Sequence, residues 1–431
     1  MARLILGQTL EFEGNPLREG LGAVRHRARG GVFVEAARIV AVDEAHALKS
    51  SHPNADIEDM GDALLLPGFI DAHAHYPQTR IIASWGKRLI DWLNRYTFPE
   101  EMRFGDADYA AAVARDYLDA SSSHGITTAS IYCTVHPESV DAMMATAEAR
   151  GQRMAAGRVM MDRDTAPDGL RDTAEASYIE SKALIERWHG HGRLTYAITP
   201  RFAPTSTEAQ LEAAGTLWAE HPDCLLQTHL SEQPEEIAWV AALYPEDADY
   251  FAIYERFGLA GPGAVMGHAI HLTHRERAAL HESGTSIGHC PTSNTFIGSG
   301  LCDVAGLAEA GIPVGLATDV GGGSSFSMLR TMAAAYEVGQ LRGRALHPAE
   351  LIWLATGGAA EALRMEHHIG RLAPGQDADI IALDLASTPI IAARAARAED
   401  VWEAVFPTIM MGDDRAIARV WIAGAPVTPL G

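Results

Sequence analysis

Eight short apolar runs, each the length of a buried strand, recur between residues 64 and 320, with helical patterns between them. The runs are LLLPGFIDAH, GITTASIYC, RMAAGRVMMD, LTYAITPRF, CLLQTHLSE, GAVMGHAIH, TSIGHCPTSN and IPVGLATDV. Near-continuous apolar character is what strands covered on both faces of a parallel sheet show. TSTEAQLEAAGTLWAE represents the intervening helices. In it Thr205 and Glu208 have capping-box spacing, and Leu211, Ala214 and Trp218 share one face. Eight β-then-α units over roughly 300 residues predict an α/β fold of the (β/α)8 barrel type. A doubly wound sheet is the alternative. No GxGxxG follows the first strand, which counts against its dinucleotide-binding version.

The flanks read differently. Residues 1–66 carry short strands such as RLILGQTLEF and GGVFVEAARIVAVD, and residues 373–431 return to strand-like pieces, DADIIALDL and ARVWIAGAPV. Each flank is too short to bury much alone. The expectation is a catalytic barrel over 67–372 and one small β-sandwich-like domain built from both chain ends, 1–66 plus 373–431.

Charge narrows the function. Of 431 residues, 34 are basic and 56 acidic, a formal charge of −22. Such a surface repels polyphosphate and anionic lipid, so neither nucleic acid nor a membrane is expected as partner. No apolar stretch is long enough to span a bilayer, and MARLILGQTLEFEG lacks the marks of a signal peptide. The four cysteines, Cys133, Cys224, Cys290 and Cys302, form no CxxC, which predicts free thiols in a reducing cytoplasm.

Barrel enzymes carry their chemistry at the C-terminal strand ends. Here those ends hold His73 and His75, then Cys133, Asp162, Arg201, His229 with Glu232, His268, His289 and Asp319. His73 and His75 are two apart, so on a strand both imidazoles face one way. HxH alone is as easily a pair of core histidines as two ligands. With His229 and Asp319 at later strand ends, the set makes a zinc or iron shell, and zinc suits hydrolysis better. Glu232, three residues past His229, is placed to shuttle protons, while Glu235 and Glu236 read as solvated. His268 is open between ligand, hydrogen-bond donor and core histidine, and His289 leans structural.

PGFIDAHAH, THLSE, GHAIHL, CPTSN and Thr318–Asp319, in this order, resemble the amidohydrolase superfamily. HAHYPQ (73–78), DWLNRYTFPEE (91–101), TVHPESVDA (134–142), RVMMDRD (158–164) and ITPRFAPT (198–205) narrow the resemblance to its guanine deaminase family, over nearly the whole chain. HxH is a superfamily mark; WLNRYTFP and PRFAPTS are far more specific. The resemblance implies one zinc ion per subunit on His73, His75, His229 and Asp319. It also implies Glu232 as proton shuttle and His268 as a contact to water or substrate. Gln78, Arg201 and Phe202 would then meet the purine, with Trp85 and Trp92 in the segment shaping the pocket. Binuclear relatives carry a bridging lysine after the fourth strand, absent from TPRFAPT. The implied reaction is hydrolysis of guanine to xanthine and ammonia, with Asp319 also taking the water proton; the implied assembly is a homodimer.

Rival readings are an amidohydrolase acting on another heteroaromatic amine (oxidised guanine, a pterin or an s-triazine) and a non-catalytic barrel serving as a scaffold. The second fits poorly with a complete ligand set. The zinc deaminases marked by HxE and PCxxC are a third; His136-Pro137-Glu138 has only the first half and reads as a helix start.

Overall fold

The computed structural model describes residues 2–86 and 89–427. In chain order the strands are β1 (Arg3–Phe12), β2 (Val24–Glu35), β3 (Arg38–Glu44), β4 (Asp56–Pro67), β5 (Phe69–Ala74), β6 (Ile126–Tyr132), β7 (Arg153–Gly157) and β8 (Val159–Met160). They continue as β9 (Leu194–Pro200), β10 (Leu225–Leu230), β11 (Ala264–His268), β12 (Ser286–His289), β13 (Val314–Leu316), β14 (Ile380–Leu383), β15 (Ile417–Ile422) and β16 (Ala425–Pro426).

Two sheets result. One runs β5-β6-β7-β9-β10-β11-β12-β13, with short β8 prolonging β7 beside β9, and its pairs are parallel. The chain after β13 returns to β5, where Asp319 N–H donates to the His73 carbonyl at 2.9 Å and closes the barrel. Ile70, Ala72, Ala155, Ala197, Leu225, Val265 and Ala317 form one apolar cluster with Ala359, Ala360 and Leu363 of a C-terminal helical segment. A buried polar layer also crosses the strands: Ser130 Oγ donates to Gln227 Oε1 (2.8 Å), and Gln227 Nε2 donates to Thr199 Oγ1 (3.0 Å) and the Ile131 carbonyl (2.9 Å). Each of these groups has a partner, which is the condition for burying them.

The second sheet takes strands from both chain ends, in the order β16-β15-β14-β4-β1-β2-β3, as one continuous hydrogen-bonded layer. Ile5, Val32, Val34, Ile39, Leu65, Ile380 and Trp421 pack together, while Leu4, Leu6 and Phe33 pack with Leu48 of the helix Ala45–Ser51. The apolar run Leu64–Ile70 therefore serves both sheets. It ends β4 at Pro67, turns at Gly68 and opens β5 at Phe69. Gly68 is required there, because a Cβ would lie 2.1 Å from Thr127 Oγ1.

Three local expectations differ. The helix Glu208–Glu220 is capped by Thr207, whose side chain accepts from Gln210 N–H, and not by a Thr205–Glu208 box. Thr205 instead ends a short 3₁₀ turn, Ala203–Thr205. The C-terminal zone is not strands alone, since helices Pro389–Ala395 and Val401–Met411 lie between β14 and β15. Val401, Val405 and Ile409, four apart, bury one face of the second helix. Asp162 holds the cap residue of the helix Glu208–Glu220: its carboxylate accepts from Thr207 N–H at 2.7 Å and from the Thr207 hydroxyl at 2.5 Å.

The two sheets are clamped by charge. Asp377, 5% exposed, accepts from Arg153 (2.7 Å) at the start of β7, from Arg193 (Nε, 3.1 Å) just before β9, and from Arg38 (2.6 Å) of β3. Arg193 also bonds Asp379. Removing the shared carboxylate strands partly buried guanidinium groups, so Asp377→Ala is expected to cost about 3–5 kcal/mol in equilibrium denaturation. A loss below about 1 kcal/mol, the scale of exposed ion pairs, would contradict the clamp.

Candidate active site

His73 in β5 and His75 just beyond it turn their Nε2 atoms to within 3.3 Å of each other. His229 Nε2, from β10, lies 3.3 Å from His75 Nε2. Asp319 Oδ1 lies 3.6 Å from His73 Nε2 and 3.5 Å from His75 Nε2. A tetrahedral ion with bonds of about 2.0–2.1 Å holds neighbouring ligand atoms about 3.3–3.4 Å apart. The His73–His75 and His75–His229 edges match that figure, and the two edges to Asp319 are slightly longer. Burial, reinforced by the neighbouring rings, holds the imidazoles of His73, His75 and His229 well below their ordinary pKa, so they are the neutral bases that a metal needs. His229 Nδ1–H donates to the Arg201 carbonyl at 2.6 Å, which leaves its Nε2 lone pair aimed at the centre.

Close packing keeps the imidazoles in register. Tyr132 lies against His73, His75 and His229, with ring centroids 4.5, 4.6 and 4.9 Å away. Gly267 leaves room for His73, since a Cβ there would sit 2.7 Å from Cε1 of that ring. Asp71, 1% exposed, accepts from Thr318 N–H (2.9 Å), the Thr318 hydroxyl and His73 N–H (3.3 Å). Both edges of the barrel seam are thereby fixed beside His73 and Asp319.

Glu232 and His268 sit next to the side chains of His73, His75, His229 and Asp319. Ser231 adopts a positive φ of 48°, a strained turn for a non-glycine residue, between His229 and Glu232. Glu232 Oε1 accepts from the Ser299 hydroxyl at 2.7 Å, and its Oε2 lies 3.6 Å from His268 Nε2. His268 Nδ1–H donates to Asn294 Oδ1 at 2.9 Å, and its Nε2 is 3.9 Å from Asp319 Oδ2. Burial works against a charged His268, but Glu232 and Asp319 outweigh it and hold its pKa above the ordinary value. Its ring thus faces the two carboxylates and is not the fourth corner of the His73–His75–His229 triangle.

Glu236 corrects an expectation. Glu235 is exposed, but Glu236 is 4% exposed. It occupies the N3 position of the helix Pro234–Leu243 and accepts from the N–H groups of Glu232 (3.0 Å) and Gln233 (3.1 Å). Burial, then the charge of Glu232, raises it to about 7.

A cavity opens onto these groups, and Gln78, Trp92, Arg201 and Phe202 line it with His75, His229, Glu232, His268 and Asp319. Trp92 is 3% exposed; Trp85 is 66% exposed and is not part of this lining, so only one of the two tryptophans stands at the cavity. His289 is fully buried outside the cavity, without a hydrogen bond at either ring nitrogen, and burial pushes its pKa down to about 3. Cys290, read from sequence as a plain free thiol, lies within 4.8 Å of ligand atoms of His73, His268 and Asp319. The group that sequence reading missed is Glu101, 1% exposed, which bonds both Arg201 and Gln78.

Comparison with known proteins places this arrangement. A profile described as "Amidohydrolase family" matches residues 64–427. The chain is 44% identical over 368 residues to guanine deaminase of Escherichia coli K12, spanning 85% of this chain and 84% of that protein. It is 40% identical over 383 residues to a probable guanine deaminase of Deinococcus radiodurans, at 88% and 87% coverage. Among solved structures, E. coli guanine deaminase superposes with a TM-score of 0.96 at 39% identity, over 99% of both chains. Guanine deaminase from C. acetobutylicum, with guanine bound in its active site, gives 0.90 at 26% identity over 99% of this chain and 100% of that one. With the match running from the end of β4 to the C-terminal strands, and the strand-end histidines and aspartate gathered in two overlapping clusters that share His73, this chain belongs to the amidohydrolase family.

Proposed function

We propose that this chain is a guanine deaminase, which hydrolyses the C2 amine of guanine to give xanthine and ammonia. The observation that carries the reading is the convergence of two sets of groups on one cavity. Three neutral imidazoles and a carboxylate sit at ligand spacing beside Glu232, while the side chains of Gln78 and Arg201 line the same space. The curated relatives at 44% and 40% identity carry the same activity in their names.

His73, His75, His229 and Asp319 are read as the holders of one zinc ion. An N₃O donor set suits zinc, and nothing in this chemistry needs a redox metal. When bound, the ion supplies Lewis acidity and makes water a competent nucleophile at neutral pH.

The remaining work falls to the side chains. Arg201 offers N–H donors to the O6 edge of the base, and Gln78 both donates and accepts. Phe202, 6.2 Å from the His229 ring, supplies a flat apolar wall, and Trp92 adds to it. Asp319 accepts a proton from the attacking water. Glu232, held through Ser299, protonates ring nitrogen N3 and makes C2 more electrophilic. His268, oriented by Asn294, steadies the oxygen that adds to C2. Collapse of the tetrahedral carbon breaks the C2–N bond: the proton first taken from water leaves with the amine as ammonia, and the new hydroxyl returns its proton to Glu232 as the C2 carbonyl forms.

The four cysteines are buried and unpaired, in keeping with a reducing compartment such as the cytoplasm, and no described helix is long and apolar enough to cross a membrane. The assembly is read as a homodimer, which light scattering checks.

Ammonia release measured over guanine, 8-oxoguanine, a pterin and an s-triazine tests the substrate. Guanine is expected to have the highest kcat/KM; a clear preference for another amine would overturn the assignment. Glu232→Gln is expected to keep its metal and its guanine affinity while kcat falls about 10²- to 10⁴-fold, the range of general acid–base catalysis. Near-normal turnover in that variant would remove Glu232 from the proton path.

A further inference from the structure

Glu101 does not line the cavity, yet it grips two residues that do. Its Oε2 accepts from Arg201 Nη1 at 2.6 Å, and its Oε1 accepts from Arg201 Nη2 at 3.1 Å and from Gln78 Nε2 at 2.9 Å. Gln78 Oε1 in turn accepts from Gly321 N–H at 3.3 Å. Glu101, Gln78 and Arg201 are 1%, 2% and 3% exposed. No bulk water stands in for a lost partner here.

Three consequences follow from this geometry. With both ends of its amide engaged, Gln78 cannot turn over, so the cavity meets a fixed pattern of one free N–H and one free lone pair. A two-point bond to a carboxylate fixes the guanidinium plane, leaving the Nε–H and one N–H on each Nη for other partners. Phe98, on the same short helix as Glu101, lies 5.6 Å from the guanidinium carbon and supports that plane. The third consequence is charge. A lone buried guanidinium would favour any anion that entered. Paired with Glu101, it offers directional donors with no net charge.

We propose that Glu101 is a positioning residue: it sets Gln78 and Arg201 for a neutral purine and, by cancelling the charge of Arg201, keeps the acidic product from being retained. The proposal rests on the reading of the site as a guanine deaminase. Guanine is neutral at neutral pH. Xanthine, with a second ring carbonyl in place of the amine, is the stronger acid and loses a ring proton near neutrality. Without Glu101, the guanidinium would hold that anion and the product would inhibit.

The test is steady-state deamination of guanine, with xanthine as added inhibitor, in wild type and Glu101→Gln. The variant is expected to keep its metal and raise KM for guanine about tenfold or more, with a smaller change in kcat. Inhibition of the variant by xanthine is expected to tighten about tenfold between about pH 6 and about pH 9, as the anion forms and meets an uncompensated arginine, while wild type shows no tightening. A purely structural role for Glu101 would not produce that pH profile. An active wild type with an indistinguishable variant overturns this inference alone; a wild type that releases no ammonia from guanine overturns the assignment of the site and this inference together. If Glu101→Gln does not fold, the wild-type profile decides. Xanthine inhibition that tightens as xanthine ionises overturns the proposal, and inhibition that stays level or weakens sustains it.

Discussion

The carboxylate of Asp71 joins the first and last strands of the barrel. It sits on β5 and accepts from the backbone and hydroxyl of Thr318, beyond β13, and from the backbone of His73. Thr318 precedes Asp319, and Asp71 is two residues before His73, so the bonds that close the seam also set how far apart the proposed ligands stand. The His73–Asp319 and His75–Asp319 distances of 3.6 and 3.5 Å depend on that closure. Burial pushes Asp71 up to about 7, with the Thr318 hydrogen bonds opposing it, and a carboxyl so enclosed is tolerated because its oxygens are occupied.

From the seam outward, each functional group is held by a neighbour whose own place is fixed. His229 donates to the Arg201 carbonyl, so a proposed ligand and a proposed purine contact share one hydrogen bond. Asn294 orients His268, Ser299 orients Glu232, and Glu236 braces the backbone on which Glu232 stands. Local strain is concentrated at the same point: Ser231, His268 and Asp319 have φ values of 48°, 69° and 48°, in the left-handed region that side chains disfavour. Such turns let consecutive stretches of chain send His229 and Glu232, or Thr318 and Asp319, to their separate tasks.

Much of this was legible in the sequence because its signals are local. Buried parallel strands are continuous apolar runs, and a strand ending in histidine or aspartate is unusual wherever it occurs. The barrel fold and the strand-end cluster follow from those two facts. What was not legible depends on contacts distant along the chain or on the register of a cap. Glu101 is 23 residues from Gln78 and 100 from Arg201, and no periodicity connects them. Glu236 looked like its solvated neighbour Glu235 until the helix start at Pro234 made it a cap. Thr207 took the cap expected of Thr205 for the same reason. Trp85 and Trp92 share a segment, yet one lines the cavity and the other is exposed, which their spacing alone does not reveal.

The central claim is that four strand-end side chains hold one zinc ion that guanine hydrolysis requires. Metal content and guanine turnover measured on one preparation, first stripped with a chelator and then titrated with zinc, test it most directly. The account requires ammonia release to rise in proportion to bound zinc and to level off at one ion per chain. Full guanine turnover by metal-free protein, or a zinc-loaded protein that leaves guanine untouched, would contradict it.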